Sequence, residues 1–407
     1  MDIRITPTLL EGKVSIPASK SCAHRALICA ALADGTSVIT GVSMSKDIEA
    51  TIGSMTALGA EFIVEGDTVT VRGIKTPAEK AVIDCNESGS TLRFIMPVAA
   101  VLGAEAEFIG RGRLPQRPID IYKRELSANG VKFLTEEMPY KLSGKLKGGT
   151  YRIEGDVSSQ FVTGLIFALP LLSEDSEIVL TSHLESRPYV DITIDILRRF
   201  GISVTEEPDR FVIKGGQKYL PHDERIEGDY SQAAFFYVAN ALGSETEPQN
   251  LSENSVQGDR RILDIILEMY YDDKGCFNAD CSDIPDLVPI LSVLGCFGKQ
   301  ESVIYNAKRL KIKESDRLET TAALLNGLGG RVTITDDGLR IMPVDTLHGG
   351  TVDSFGDHRI VMAAAIAATR ADGDVIIKGA EAAEKSYPNF FKDYTDLGGK
   401  ANVIILE

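Results

Sequence analysis

The chain has no run long enough to cross a bilayer: its longest apolar stretch, near VMAAAIAA at 361–368, falls far short of the ~20 residues a spanning helix needs. Its first residues, MDIRITPTLLEGKV, lack the basic-then-apolar order of a secretory leader, so a cytoplasmic protein is expected. Positive charge is in deficit, with 43 Lys and Arg against 59 Asp and Glu and a net charge of −16. That excludes a broad nucleic-acid surface. Any polyanion must instead be met by a local basic pocket. Histidines number only five and stand nowhere at ligand spacing, so no metal site is expected. Six cysteines (22, 29, 85, 276, 281 and 296) form no CxxC pair, only Cys276 and Cys281 are close, and most lie in apolar or strand-like context. They read as free structural thiols. Low-complexity tracts are absent too, and 407 residues of which 43% are hydrophobic call for more than one core.

What is present is a repeat. SKSCAHRALICAALADGTSVITG (19–41), SGSTLRFIMPVAAVLGAEAEFIG (88–110), SSQFVTGLIFALPLLSEDSEIVLTS (158–182), DYSQAAFFYVANALGSE (229–245), DIPDLVPILSVLGCFGKQESVIYN (283–306) and GDHRIVMAAAIAATRADGDVIIKG (356–379) share one plan. Each begins with a small or acidic residue, continues through an apolar segment of helix length and ends in a β-branched strand. Most are followed by an amphipathic helix, a Leu-Gly stop and a hairpin, as in DIEATIGSMTALGAEFIVEGDTVTVRG (47–73). Unit four departs, because DRRILDIILEMY (259–270) runs through YYDDKGCF almost directly into the next start. Its hairpin is missing. The pattern predicts an α/β fold with sheets facing solvent and helices inward. Six units divide into three plus three, residues 19–227 in one domain and 228–407 in the other, with the strand pair of 1–18 completing the second.

The helix starts carry an electrostatic oddity. Lys20, Ser21 and Arg25 crowd the first turns of a helix whose Ala23, Ala26, Leu27, Ala30 and Ala31 form a stripe that must be buried. Cations are unfavourable at a helix N-terminus, which already bears about half a positive charge. They fit if an anion normally sits there. Gly89 in ESGSTLRF lets a backbone approach a ligand, and VSSQF (157–161) offers two hydroxyls and an amide at another helix start. Arg117 and Arg187 each precede a proline that opens a helix. Lys313, Glu314 and Arg317 crowd KIKESDRL, Arg359 stands in GDHR and Lys385 in AEKSYP. One shared anionic site accounts for all of them.

PASKSCAHRAL, QRPID, GDVSSQF, SRPYVDIT, DIPD, KIKESDRL, GDHR and AEKSYPNFF, in that order, closely resemble the 5-enolpyruvylshikimate-3-phosphate synthase family over essentially the whole chain. The resemblance implies a two-domain inside-out α/β barrel of three βαβαββ units per domain, with the active site in the cleft between the domains. It implies transfer of the enolpyruvyl group of phosphoenolpyruvate to shikimate 3-phosphate, on the way to chorismate and the aromatic amino acids, with no cofactor. A monomer is expected, with no nucleic-acid or membrane partner. Carried over position by position, Lys20, Ser21, Arg25, Ser158, Ser159, Gln160, Ser186, Asp286 and Lys313 would hold shikimate 3-phosphate. Lys20, Gly89, Arg117, Gln160, Arg317, Arg359 and Lys385 would surround phosphoenolpyruvate, where arginine forks suit carboxylate and phosphate. Asp286 and Glu314 would be the proton acceptor and donor, with Lys20 assisting.

Three positions depart from the family pattern: Glu87 replaces a usual asparagine, Arg309 replaces another, and Phe94 stands where proline is frequent. Arg93 is expected to support its loop, and Tyr189 to sit either in the site or in the core. Two rival readings belong to the same scaffold. UDP-N-acetylglucosamine enolpyruvyl transferases usually carry a cysteine five residues before the arginine of the RP loop, where this chain has Gly112. A non-catalytic phosphometabolite-binding protein would have lost Asp286 or Glu314, and neither is lost.

Overall fold

The computed structural model describes residues 1–271 and 273–404. The chain forms two compact units, Ala18–Glu227, and Met1–Pro17 together with Gly228–Glu407. Each has its own hydrophobic core.

Within Ala18–Glu227 lie three four-stranded sheets. One runs Thr150–Ile153, Ser176–Leu180, Arg210–Ile213, Thr205–Glu207 in spatial order. Its first pair is parallel and the remaining pairs are antiparallel. The Lys80–Asp84 sheet repeats this scheme, as does the sheet opened by the two-residue strand Glu224–Arg225. A parallel pair requires a crossover helix and an antiparallel pair accepts a hairpin, which is the βαβαββ order expected of each repeat.

The strands alternate exposed and buried residues, as in Lys80–Asp84 and Leu339–Met342, so one sheet face is solvated. The first helix of each repeat is enclosed all round. In Val288–Gly295 and His358–Ala368 every residue is buried, and Lys20–Leu32 buries residues 22 to 31 without a break. A helix apolar all round belongs inside a core. Small residues let such helices approach closely: a Cβ on Gly164 would lie 2.2 Å from both the Arg93 carbonyl and the Tyr122 hydroxyl. Tyr122 Oη itself lies 2.8 Å from the Arg93 carbonyl oxygen and 2.9 Å from that of Phe161, tying two inner helices together.

The other unit holds two four-stranded sheets and one of two strands, Glu11–Ser15 parallel to Glu245–Gln249. The two-stranded sheet belongs to the repeat whose hairpin is missing. In the last sheet the N-terminal strand Asp2–Thr6 lies between Val375–Lys378 and Lys400–Ile404, antiparallel to both. Residues 405 and 406 of the closing segment lie outside the described residues. All six cysteines are buried and none forms a disulfide. Among the described residues no helix is long and apolar enough to cross a membrane.

Candidate active site

Helix capping places the polar groups at the starts of the inner helices. Ser19, Ser88 and Ser158 cap theirs, accepting from the backbone N–H of Cys22, Thr91 and Gln160. In the other unit Asp229 and Asp357 cap theirs, Val288–Gly295 has no side-chain cap, and Asp316 caps the Arg317–Gly327 helix that follows it. A serine cap satisfies an N–H without adding charge, so the helix ends in Ala18–Glu227 keep their positive character.

Lys20 Nζ donates to Asp47 Oδ2 at 2.8 Å and both side chains remain about one-third exposed. Arg25 is buried and donates once from each nitrogen: Nε to Thr193 Oγ1 at 2.7 Å, Nη1 to the Ser21 carbonyl and Nη2 to the Tyr189 carbonyl, each at 2.8 Å. Its guanidinium lies 5.0 Å from the centroid of the Phe94 ring, which gives this departure from the family pattern a use. Gln160 Nε2 donates to Ser90 Oγ at 2.9 Å, while its Oε1 accepts from Arg93 Nη1 at 2.8 Å. Arg93 Nη2 donates to the Pro118 carbonyl at 3.0 Å, so Arg93 braces the segment that carries Arg117. A Cβ on Gly89 would lie 2.5 Å from Arg117 Nη1. Gly89, Gln160 and Arg117 thus gather about Arg93. Ser159 and Ser186 are buried, the latter with a left-handed φ of 56° at the start of the Arg187–Arg199 helix. Ser158 serves as a cap, and no side-chain hydrogen bond of Ser21 accompanies it among the described residues. Glu87 is exposed, its carboxyl closed over Gly112.

In the second unit a single arginine organises three carboxylates. Arg317, 1% exposed, donates through Nε to Asp357 Oδ2 at 2.8 Å, through Nη1 to Asp286 Oδ1 at 2.7 Å and through Nη2 to Glu314 Oε2 at 2.7 Å. Arg359 Nη2 donates to the other Asp286 oxygen at 2.8 Å and to Ser231 Oγ at 3.1 Å. Its Nε and Nη1 are buried with no hydrogen-bond partner among the described residues. Lys385 Nζ, exposed, donates to the Gly356 carbonyl at 3.0 Å, in the turn that leads into Asp357 and Arg359. Burial alone would raise the Asp286 and Glu314 carboxyls. Arg359, Arg317 and Lys313 outweigh it at Asp286, and Arg317 with Lys313 at Glu314, so both lie well below the ordinary carboxylate range. Burial pulls Lys313 below its ordinary value against the attraction of Asp286. Arg309 lies within electrostatic reach of that lysine. Burial also holds His358 neutral, at about 3.

Asp286, Glu314, Arg317 and Arg359 therefore form one connected cluster, with Lys313 in its field and Lys385 at its margin. Sequence reasoning overlooked Asp357, Ser231 and Asp47, the partners of Arg317, Arg359 and Lys20. Asp357 was within reach, because it stands inside GDHR as the helix cap; Ser231 and Asp47 leave no mark except their place in a helix first turn. Among the described residues no group of three or more His, Cys, Asp and Glu side chains could hold a metal ion. The charges present, two guanidiniums and a lysine against carboxylates, suit anionic substrates and proton transfer at one of them.

The profile of the EPSP synthase (3-phosphoshikimate 1-carboxyvinyltransferase) family matches residues 5–394. A 3-phosphoshikimate 1-carboxyvinyltransferase of Clostridium perfringens is 44% identical over 414 residues, covering 97% of this chain and 98% of its own. One from Clostridium kluyveri is 45% identical, covering 98% and 97%. Among solved structures, an EPSP synthase of Acinetobacter baumannii superposes with a TM-score of 0.86 at 24% identity, covering 99% of this chain and all of that one, and so shares the fold. The chain belongs to the EPSP synthase family.

Proposed function

We propose that the protein moves the enolpyruvyl group of phosphoenolpyruvate onto the 5-hydroxyl of shikimate 3-phosphate and releases phosphate, a step toward chorismate and the aromatic amino acids. The observation that carries the reading is the Asp286–Arg317–Glu314 bridge, in which two carboxylates are kept ionised by arginines that a multiply charged substrate would claim. In the first step the 5-hydroxyl oxygen bonds to the phosphate-bearing carbon while its proton passes to Asp286. The methylene carbon takes a proton from Glu314. In the second step that carbon returns a proton, the bond to phosphate breaks and the double bond re-forms.

Glu314 must be protonated to donate, yet Arg317 holds it ionised in the ligand-free protein. Phosphoenolpyruvate resolves this by taking up Arg317 and Arg359, which removes the charges that depress both carboxyls and raises them toward a useful range. Lys20, Ser21, Arg25, Ser158, Ser159, Gln160, Ser186 and Lys313 bind shikimate 3-phosphate in this reading. Lys20, Gly89, Arg117, Gln160, Arg317, Arg359 and Lys385 bind phosphoenolpyruvate. A cytoplasmic monomer belongs to the same reading, since each cluster is complete within one chain. Phosphate release from phosphoenolpyruvate is the test: it should require shikimate 3-phosphate and fail with UDP-N-acetylglucosamine. Glu314→Gln and Asp286→Asn should each lose on the order of 10²-fold or more in kcat, and near-normal turnover in both would sink the assignment.

A further inference from the structure

Beside the Asp286 cluster lies a carboxyl that the mechanism above does not use. Asp259 occupies the short turn Gly258–Arg261 and is 6% exposed. Its Oδ1 is wholly enclosed and accepts no hydrogen bond among the described residues. The turn is pinned to the start of the Tyr230–Ala241 helix, because Gln257 Oε1 accepts from the Tyr230 N–H at 3.0 Å and Gln257 Nε2 donates to the Gly228 carbonyl at 2.9 Å. That same helix start supplies Ser231, a partner of Arg359. It also buries Gln232 Oε1, a second acceptor that receives no donor.

Asp286, Arg359, Asp229, Lys313 and Cys281 lie within electrostatic reach of Asp259, with Arg260 and Arg261 on its own turn. Two of these are carboxylates, and one of them, Asp286, already holds Arg359 by a 2.8 Å ion pair. An ionised Asp259 would be buried with no donor at Oδ1, and Asp286 and Asp229 work against the attraction of Arg359 and Lys313, so burial decides in favour of giving up the charge. Burial and Asp286 accordingly push this carboxyl well above the ordinary range.

We propose that Asp259 is a neutral carboxylic acid in the working protein, and that its lack of charge leaves Arg359 undivided for the anionic substrate. In this role Asp259 is a positioning residue that acts through Arg359 and is assigned no contact of its own with substrate. The kinetic part of this inference rests on the assignment of phosphoenolpyruvate to Arg359, whereas the protonation part does not.

The two parts are separated by two measurements on the full chain. Folding requires the acid to stay protonated, so the native state binds a proton more tightly than the unfolded one. The stability this confers is complete below the ordinary carboxylate range and is lost as pH rises above it. Asp259→Asn, which cannot ionise, should therefore gain melting temperature relative to the parent as pH increases from 4 to 9. A parent that is the more stable at neutral pH would mean an ionised Asp259 paired with Arg359 and would overturn the proposal. In kinetics, the KM for phosphoenolpyruvate should rise roughly tenfold on the alkaline side in the parent as Asp259 ionises, with kcat moving less, and this rise should be absent in Asp259→Asn. The melting result without the KM result would overturn the link to Arg359 and leave the neutral acid standing. Should Asp259→Asn fail to fold, infrared spectroscopy of the parent at neutral pH decides: a protonated-carboxyl band that is missing in Asp259→Leu supports the proposal, and no such band defeats it.

Discussion

Gly89 and Arg117 show how finely the proposed anion site depends on single side chains. Gly89 opens the Gly89–Leu102 helix behind its cap Ser88, and the space a methyl group would take there is occupied by the end of Arg117. The clash falls on the tip of a flexible side chain, so the fold can absorb it, and alanine is the better helix former. Position is what suffers, since a guanidinium fork displaced by tenths of an ångström no longer meets both oxygens of a carboxylate or phosphate. Gly89→Ala should leave the melting temperature within a few degrees of the parent and raise the KM for phosphoenolpyruvate on the order of tenfold. Steady-state kinetics beside a melting curve checks it; an unchanged KM would remove Arg117 from the site. Much of this chemistry is legible in the sequence because charged residues at the starts of buried helices are anomalous wherever they occur. Residues whose role is to hold another side chain are not. Asp47 and Ser231 are ordinary first-turn residues until the fold brings Lys20 and Arg359 against them. Asp259 stands at the head of DRRILDIILEMY, where an acid is an ordinary helix-start residue, and only its burial gives it a role.

At the scale of elements, the shortened repeat leaves a strand with one open edge. Glu245–Gln249 pairs with Glu11–Ser15 alone among the described strands. An open edge offers unpaired backbone groups to other chains. This one carries Glu245 and Glu247, both exposed, and Pro248, which has no N–H to donate. Nearby the Ile262–Tyr271 helix exposes Leu267, Tyr270 and Tyr271, apolar surface left without the hairpin that follows the corresponding helix in other repeats. Charge and proline thus guard that edge. Replacing Glu245 and Glu247 by valine and Pro248 by threonine should turn the strand into a sticky one, with concentration-dependent aggregates seen by light scattering and the parent remaining clear. A variant as clear as the parent would show that the edge is protected by something else. The missing hairpin was readable from the sequence as a short interval in an otherwise regular repeat. The placement of Asp2–Thr6 between Val375–Lys378 and Lys400–Ile404 was not. Strand partners separated by more than 370 residues leave no local periodicity, because pairing is settled by which edge remains open when the rest has folded.

For the whole chain, that pairing makes the two units unequal in how they can fold. Ala18–Glu227 is continuous, and its core draws on no residue outside it. The other unit is assembled from the two ends of the sequence. Ile3, Ile5, Leu10, Val14 and Ile16 are all buried in its core, and the strand Asp2–Thr6 takes an inner place in one sheet while Glu11–Ser15 is the only partner of Glu245–Gln249 among the described strands. At about 2 kcal/mol for each buried aliphatic side chain, the first seventeen residues bring roughly 10 kcal/mol of burial, as much as the whole net stability of an ordinary domain. Removing them also opens three more strand edges, one each on Val375–Lys378, Lys400–Ile404 and Glu245–Gln249. A fragment of residues 18–227 should therefore unfold cooperatively in urea, whereas 228–407 alone should show no cooperative transition. Adding a peptide of residues 1–17 should restore one. A fragment 228–407 that folds without the peptide would show that the N-terminal strands only decorate a core already sufficient, and the assembly of this unit from both chain ends would then carry no folding consequence.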